Sequence, residues 1–192
     1  MRKVSRNAWL VAGFDVLASG GIEALRVEPL AARLGVTKGS FYHHFADRRA
    51  LHLALLDEWE QQGTSAIIDE VEQASVDPAE QLRRLAHVTA TGEPAADAIE
   101  NGIRAWAATD EVAAAAAARV DERRLAFTTQ LLVACGLQPA LAERRARLFY
   151  RVLIGEFLWR SAGGPEITAQ EIDEAVDLLL EVRGPTADRA KS

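Results

Sequence analysis

The chain has 192 residues, a net charge of −6, 49% hydrophobic residues and a single cysteine, Cys135. That length admits one sizeable helical domain or a small domain joined to a larger one, and one cysteine excludes an internal disulfide framework. Net charge argues against nucleic acid until it is divided: residues 1–49 hold eight Lys/Arg against four acids, +4, leaving −10 on the rest, the asymmetry of a molecule that offers phosphates one end only.

Richness in Ala, Leu, Glu and Arg, with no alternating strand pattern, predicts an all-α fold. The first helix is expected from Ser5 to Ser19, closing at Gly20-Gly21, with Leu10, Phe14 and Leu17 on one face. Met1-Arg2-Lys3 and the apolar run after it mimic a secretory signal, but Asp15 interrupts the run. No segment has the ~18 uninterrupted apolar residues of a membrane span. A cytoplasmic protein is the expectation, with Arg2, Lys3 and Arg6 as a basic arm for phosphates or a minor groove; Arg2 and Lys3 read equally as a solvated tail.

Helix 2 is expected to start near Val27, where Pro29 falls in the first turn and loses no hydrogen bond. Gly35 can take positive φ beyond its end, and Thr37 offers an oxygen to cap a third helix, Lys38 to about His44. Phe41 and Phe45, one turn apart, face inward with Val36. Lys38, Gly39, Ser40, Tyr42 and His43 stay outside, a donor-rich set without an acid, suited to phosphate oxygens and base edges in a major groove.

The run Leu30-Ala31, Gly35-Val36-Thr37-Lys38-Gly39-Ser40-Phe41-Tyr42, His44-Phe45, then Arg48 and Leu51 resembles the DNA-binding signature of the TetR family of bacterial transcriptional regulators, over about the first third of the chain. The resemblance implies that Thr37 and Tyr42 bind phosphates, that Lys38, Gly39 and Ser40 lie over base edges, and that His43 and His44 flank the groove. Lys38 is the favoured base reader, with a phosphate contact its equal alternative. His44 reads also as a residue packed on helix 1, and adjacent histidines make a poor metal site. Arg26 stands where the family commonly has Thr; it cannot cap helix 2 but can reach a phosphate.

Asp47 should cap a long helix running to about Ala74, a lever whose first turn gives Arg48 to another phosphate. Further helices are expected over 79–91, 95–108, 111–135, 140–162 and 168–182. The Ala113–Ala118 run permits close helix approach, and Cys135 reads as a small buried filler. Leu148, Phe149, Val152, Leu153, Ile154, Phe157, Leu158 and Trp159 form a stripe too wide for one buried face, and Ile172, Val176, Leu178, Leu179 and Leu180 repeat the excess. A second copy of the chain is the simplest cover.

No phosphate loop, GxSxG, CxxC or HExxH occurs, and neither catalytic nor metal-binding residues nor a cofactor are expected. Glu100, Arg104, Arg151 and Glu156 place charges within apolar helices, where pairs are mostly structural. By the family resemblance, His87, Trp106, Phe127, Gln130 and Trp159 are candidate neighbours of a small-molecule effector. The whole reads as a three-helix helix-turn-helix domain (1–47) and a helical effector-binding and dimerisation domain (48–192). The expected function is a homodimeric repressor on an inverted-repeat operator in double-stranded DNA, released by the effector. Two other readings stand beside it: a DNA-binding regulator without an effector or controlled by a partner, and an all-helical enzyme or carrier on the same fold.

Overall fold

The computed structural model describes residues 4–181, which form α-helices and turns with no strand among the described residues. Arg2 and Lys3 of the expected arm, and Val182 at the expected end of the last helix, lie outside them. Helix α1 (Arg6–Ala24) starts where the Ser5 hydroxyl accepts from Ala8 N at 3.3 Å. It breaks at Gly21, φ 70°, within the Gly20-Gly21 pair expected to close it, and resumes for a last turn to Ala24. α2 (Val27–Arg33) and α3 (Lys38–Tyr42) complete the head. α3 is shorter than expected, because His43 already serves as its C-cap. Trp9 is fully buried and meets Phe41 edge-on at 5.4 Å, with Phe45 stacked behind at 5.3 Å. Leu10, Leu30, Leu51 and Leu55 close this small core, each contributing roughly 1.5–3 kcal/mol by burial.

From the head rises one long rod. Asp47 caps α4 (Arg48–Glu60) by accepting from Ala50 N at 2.7 Å. A π-helical turn, Gln61–Ser65, then leads into α5 (Ala66–Ala74). The expected single helix to Ala74 is therefore present with one irregularity: Glu60, Gln61, Ser65 and Ala66 all keep right-handed helical angles, so the rod stays continuous while its hydrogen-bond ladder widens. At 1.5 Å per residue the rod is about 40 Å long.

The body is built from α6 (Pro78–Ala90), α7 (Pro94–Ala107), α8 (Glu111–Ala134), α9 (Pro139–Ser161) and α10 (Ala169–Leu180). Asp77 caps α6, Asp110 caps α8, and Thr168 with Glu171 forms a capping box on α10. One core joins Val71, Leu82, Leu132, Ala142, Ala146 and Val176. Cys135 sits half-buried at its edge, where burial pushes its thiol up. A second core ties head to body, with Leu17 and Leu56 packed on Trp59, Ile103, Trp106 and the small faces of Ala113 and Ala116. Here α1 and α7 nearly touch: a Cβ on Gly102 would stand 3.2 Å from both the Leu17 carbonyl oxygen and its side chain.

On the far side Leu148 (60% exposed), Val152 (62%) and Trp159 (57%) follow helical spacing along α9, joined by Leu158 and by Leu178 of α10. Arg145 of α9 donates to the carbonyls of Leu179 and Glu181, holding the two helix ends together. This is the excess face expected from the sequence. Leu153, Ile172, Val176 and Leu179 are the members of the two stripes that turn inward to full burial.

Candidate nucleic-acid interface and internal cavity

Between α2 and α3 the chain turns on Gly35, φ 68°. Gly35 N donates to Ala32 O and Val36 N to Ala31 O, both at 3.0 Å, which satisfies the last carbonyls of α2. Thr37 takes the N-cap position, but its side chain makes no capping bond. That corrects the expected cap: the Thr37 carbonyl accepts from Ser40 N at 2.9 Å instead, and its hydroxyl stays exposed. Lys38, Gly39, Tyr42 and His43 are exposed beside it, Ser40 is half-buried, and Arg26 is exposed at the start of α2.

Three assigned residues are differently engaged. Lys38 is ion-paired with Glu28 of α2, a bond that lowers the Glu28 carboxyl and raises the Lys38 ammonium pKa. α3 has no acid of its own, yet its neighbour supplies one. His44 turns inward, its Nε2 2.8 Å from the Val4 carbonyl, which supports the packed alternative over a place beside the groove. Arg48 also turns inward, donating to Ile22 O at 3.0 Å and to His52 Nε2 at 3.2 Å. Burial and then the Arg48 charge lower His52, keeping it a neutral acceptor. Arg49, the next residue on the first turn of α4, is exposed; its place just after the Asp47 cap was the signal that sequence reasoning passed over.

Inside the body lies a cavity of about 250 Å³ bounded by α1, α4, the π-turn and α5 to α9. Phe14, Trp59, Phe127, Phe149, Tyr150 and Phe157 supply much of its apolar wall. At one end Glu100 accepts from Trp59 Nε1 at 2.9 Å, Arg104 Nε at 2.8 Å and Arg124 Nη1 at 3.1 Å. Arg104 reaches on to Asp121 at 2.8 Å, where the Tyr150 hydroxyl also donates at 2.5 Å. Burial alone raises Glu100 and Asp121, but for Glu100 the charge and hydrogen bond of Arg124, the charge of Arg104 and the Trp59 hydrogen bond outweigh it, and for Asp121 the hydrogen bonds of Arg104 and Tyr150 with the charges of Arg104 and Arg124 do, so both end below the usual carboxylate range. Burial pushes Tyr150 up to about 12. Arg124 then crosses to the rod, donating from Nε to Thr64 Oγ1 and from Nη2 to the Gly63 carbonyl, each at 3.0 Å, while Arg123 donates to Ser65 Oγ at 2.7 Å.

Of the five effector candidates, Phe127 stands on this wall and four lie off it. His87 faces Asp173 at 2.9 Å, Trp106 packs edge-on against His52 at 5.2 Å, Gln130 lines a shallow outer groove, and Trp159 is on the exposed apolar face. The family resemblance had placed them in the middle helices of the body, but it does not say which faces of separate helices meet. Trp59, Glu100, Arg124 and Tyr150 line the cavity instead. Glu100 and Arg104 form the buried pair considered from sequence, whereas Arg151 is exposed.

A sequence profile described as bacterial regulatory proteins, tetR family, matches residues 10–55, from α1 into α4. That stretch carries the family's DNA-binding domain. Solved TetR-like structures share the fold well beyond the matched stretch. A transcriptional regulator from Rhodococcus sp. Rha1 is 23% identical over 92% of this chain and 94% of its own, with a TM-score of 0.74. A TetR-family regulator from Streptomyces coelicolor is 20% identical over 91% and 93%, TM-score 0.74. A regulator from Saccharomonospora viridis, solved in complex with choline, is 14% identical over 91% and 94%, TM-score 0.75. No curated protein matches the chain. That domain marks the protein as a DNA-binding transcriptional regulator rather than an enzyme. Among the described residues no helix is long and apolar enough to cross a membrane, and no group of three potential ligands could hold a metal ion.

Proposed function

We propose that this TetR-family protein is a homodimeric repressor that reads an inverted-repeat operator and is released by a small molecule held in the body cavity. Residues 1–47 are the reading head and 48–192 the sensing and pairing body. Arg26, Thr37, Lys38, Gly39, Ser40, Tyr42 and His43 form the DNA face, with Arg49 rather than Arg48 meeting a phosphate and His44 left as a packing residue. The exposed stripe of α9 and α10 pairs with its copy, which sets the two α3 helices for successive major grooves ~34 Å apart.

One observation carries the reading: the lever, from Glu58 to Ile68, forms part of the cavity wall. Arg124 faces the cavity and grips the π-turn through Thr64 and Gly63, so a ligand that draws Arg124 aside loosens the rod that carries α3. The choline-bound neighbour supports a small molecule in a body of this shape. Release requires the ligand to prefer the DNA-free arrangement by a few kcal/mol.

Selection of bound fragments from a random duplex pool tests the proposal. The expected product is an inverted repeat with half-sites about one helical turn apart; a single unrepeated motif sinks the dimer reading, and no enrichment sinks DNA recognition itself.

A further inference from the structure

The cavity's polar groups are unequally used. Most of its donors are spent: Trp59 Nε1 on Glu100, Arg124 on Glu100, Thr64 and Gly63, the Tyr150 hydroxyl on Asp121, and the hydroxyls of Thr89 and Thr128 on the carbonyls of Leu85 and Arg124. Its acceptors are not. Asp97 stands in the wall at 2% exposure; Oδ1 takes Arg160 Nη2 at 2.7 Å, while Oδ2 is buried with no partner at all. Thr89 and Thr128, whose protons are committed, keep oxygen lone pairs on the same wall. Arg160 has an unpartnered Nε, but it stands behind the wall, where Asp97 and the carbonyls of Thr89 and Ala90 take its other nitrogens.

A carboxylate oxygen buried in the wall of an apolar space without a partner calls for a donor, because in a low-dielectric site an unmatched polar atom is costly and a second negative charge worse. A carboxylate ligand would meet Asp97 and Glu100 with the facing arginine already engaged. Resting on the ligand-controlled reading above, we propose that the cavity takes a small, largely aromatic molecule whose polar end is an N–H or O–H donor delivered to Asp97, and that it rejects carboxylates of the same shape. Its volume lies just below the ~300–1,000 Å³ of drug-sized sites, which limits the ligand to a small body.

Thermal unfolding of the full chain with phenylbutylamine, phenylbutanol and phenylbutyrate at matched concentrations tests the chemistry. The amine and the alcohol should raise the Tm and bind at least about tenfold more tightly than the acid. Asp97→Asn should weaken the amine most. Where that variant fails to fold for want of a partner to Arg160, Val88→Trp, which fills the cavity from α6 and leaves Asp97 intact, should abolish the shift. Phenylbutyrate binding as well as the amine, no shift from any of the three, a shift that survives Val88→Trp, or a folded Asp97→Asn with unchanged amine affinity each overturns the inference. Phenylbutyrate that binds and also releases operator DNA would overturn this ligand class while leaving ligand control standing, and binding of DNA without additives reports separately on the regulator itself.

Discussion

Lys38 and Glu28 share an ion pair on the exposed face of the head, so a base or phosphate that takes the ammonium must first compete with a carboxylate. Competition of this kind filters contacts: a weak partner leaves the pair closed, and a well-placed guanine edge opens it. Lys38→Ala should therefore relax preference in the half-site by roughly tenfold if the lysine reads a base. Glu28→Gln should raise affinity for random duplex while lowering the ratio of specific to random binding, measured by competition fluorescence anisotropy. An unchanged ratio removes Glu28 from recognition. A second residue-scale effect concerns acid. Because Glu100 and Asp121 are both held below their ordinary range, their contribution to stability is fully present above an unfolded carboxylate pKa of about 4 and is lost as pH falls through their lower folded values. Urea midpoints should drop steeply below about pH 4, and less steeply in Asp121→Asn.

At the scale of elements, the proposed ligand control rests on the junction between rod and body. Arg124→Lys keeps a positive charge opposite Glu100 but cannot fork to Thr64 and Gly63 together. Hydrogen exchange should then quicken across residues 61–65 and stay unchanged in α2 and α3; uniform protection would show that Arg124 does not hold the turn. Arg124→Met removes the charge as well and should cost ~3–5 kcal/mol, the penalty for leaving a buried partner exposed to too little compensation. The head's elements were legible because each is written locally: Gly35 at the turn, Phe41 and Phe45 one turn apart, Asp47 before the rod. The π-turn was not, since residues 61–65 read as ordinary helix and the widened ladder is stabilised by arginines some 60 positions away in α8. The cavity was illegible for the same reason. Trp59, Glu100, Arg124 and Tyr150 lie on four separate elements, and periodicity assigns a residue to a face without naming the face opposite. Gly102 is a further case: nothing in its neighbourhood marks it, yet its missing side chain lets α7 lie against Leu17 of α1.

For the whole molecule, the exposed stripe and the basic head predict one linked behaviour. If two heads are joined through α9 and α10 as proposed, they neutralise about twice as many phosphates as one, and the salt dependence of binding counts them, since log K falls with log salt in proportion to the phosphates contacted. Val152→Glu puts a charge at the middle of the face formed by Leu148, Val152 and Trp159, where a copy of itself would bring a second like charge against it. That variant should sediment as a monomer while keeping its helical content, because Val152 is already 62% exposed within one chain and its replacement disturbs no core of its own. Its affinity for a full operator should fall steeply, and the slope of log K against log salt should drop to roughly half that of the parent. A monomer that keeps the parent's slope would mean that one head makes all the contacts and that pairing serves another purpose. A dimer that persists through Val152→Glu would place the interface elsewhere on the body. The two measurements thus separate the pairing surface from the reading surface, which a single binding curve at one salt concentration would leave fused.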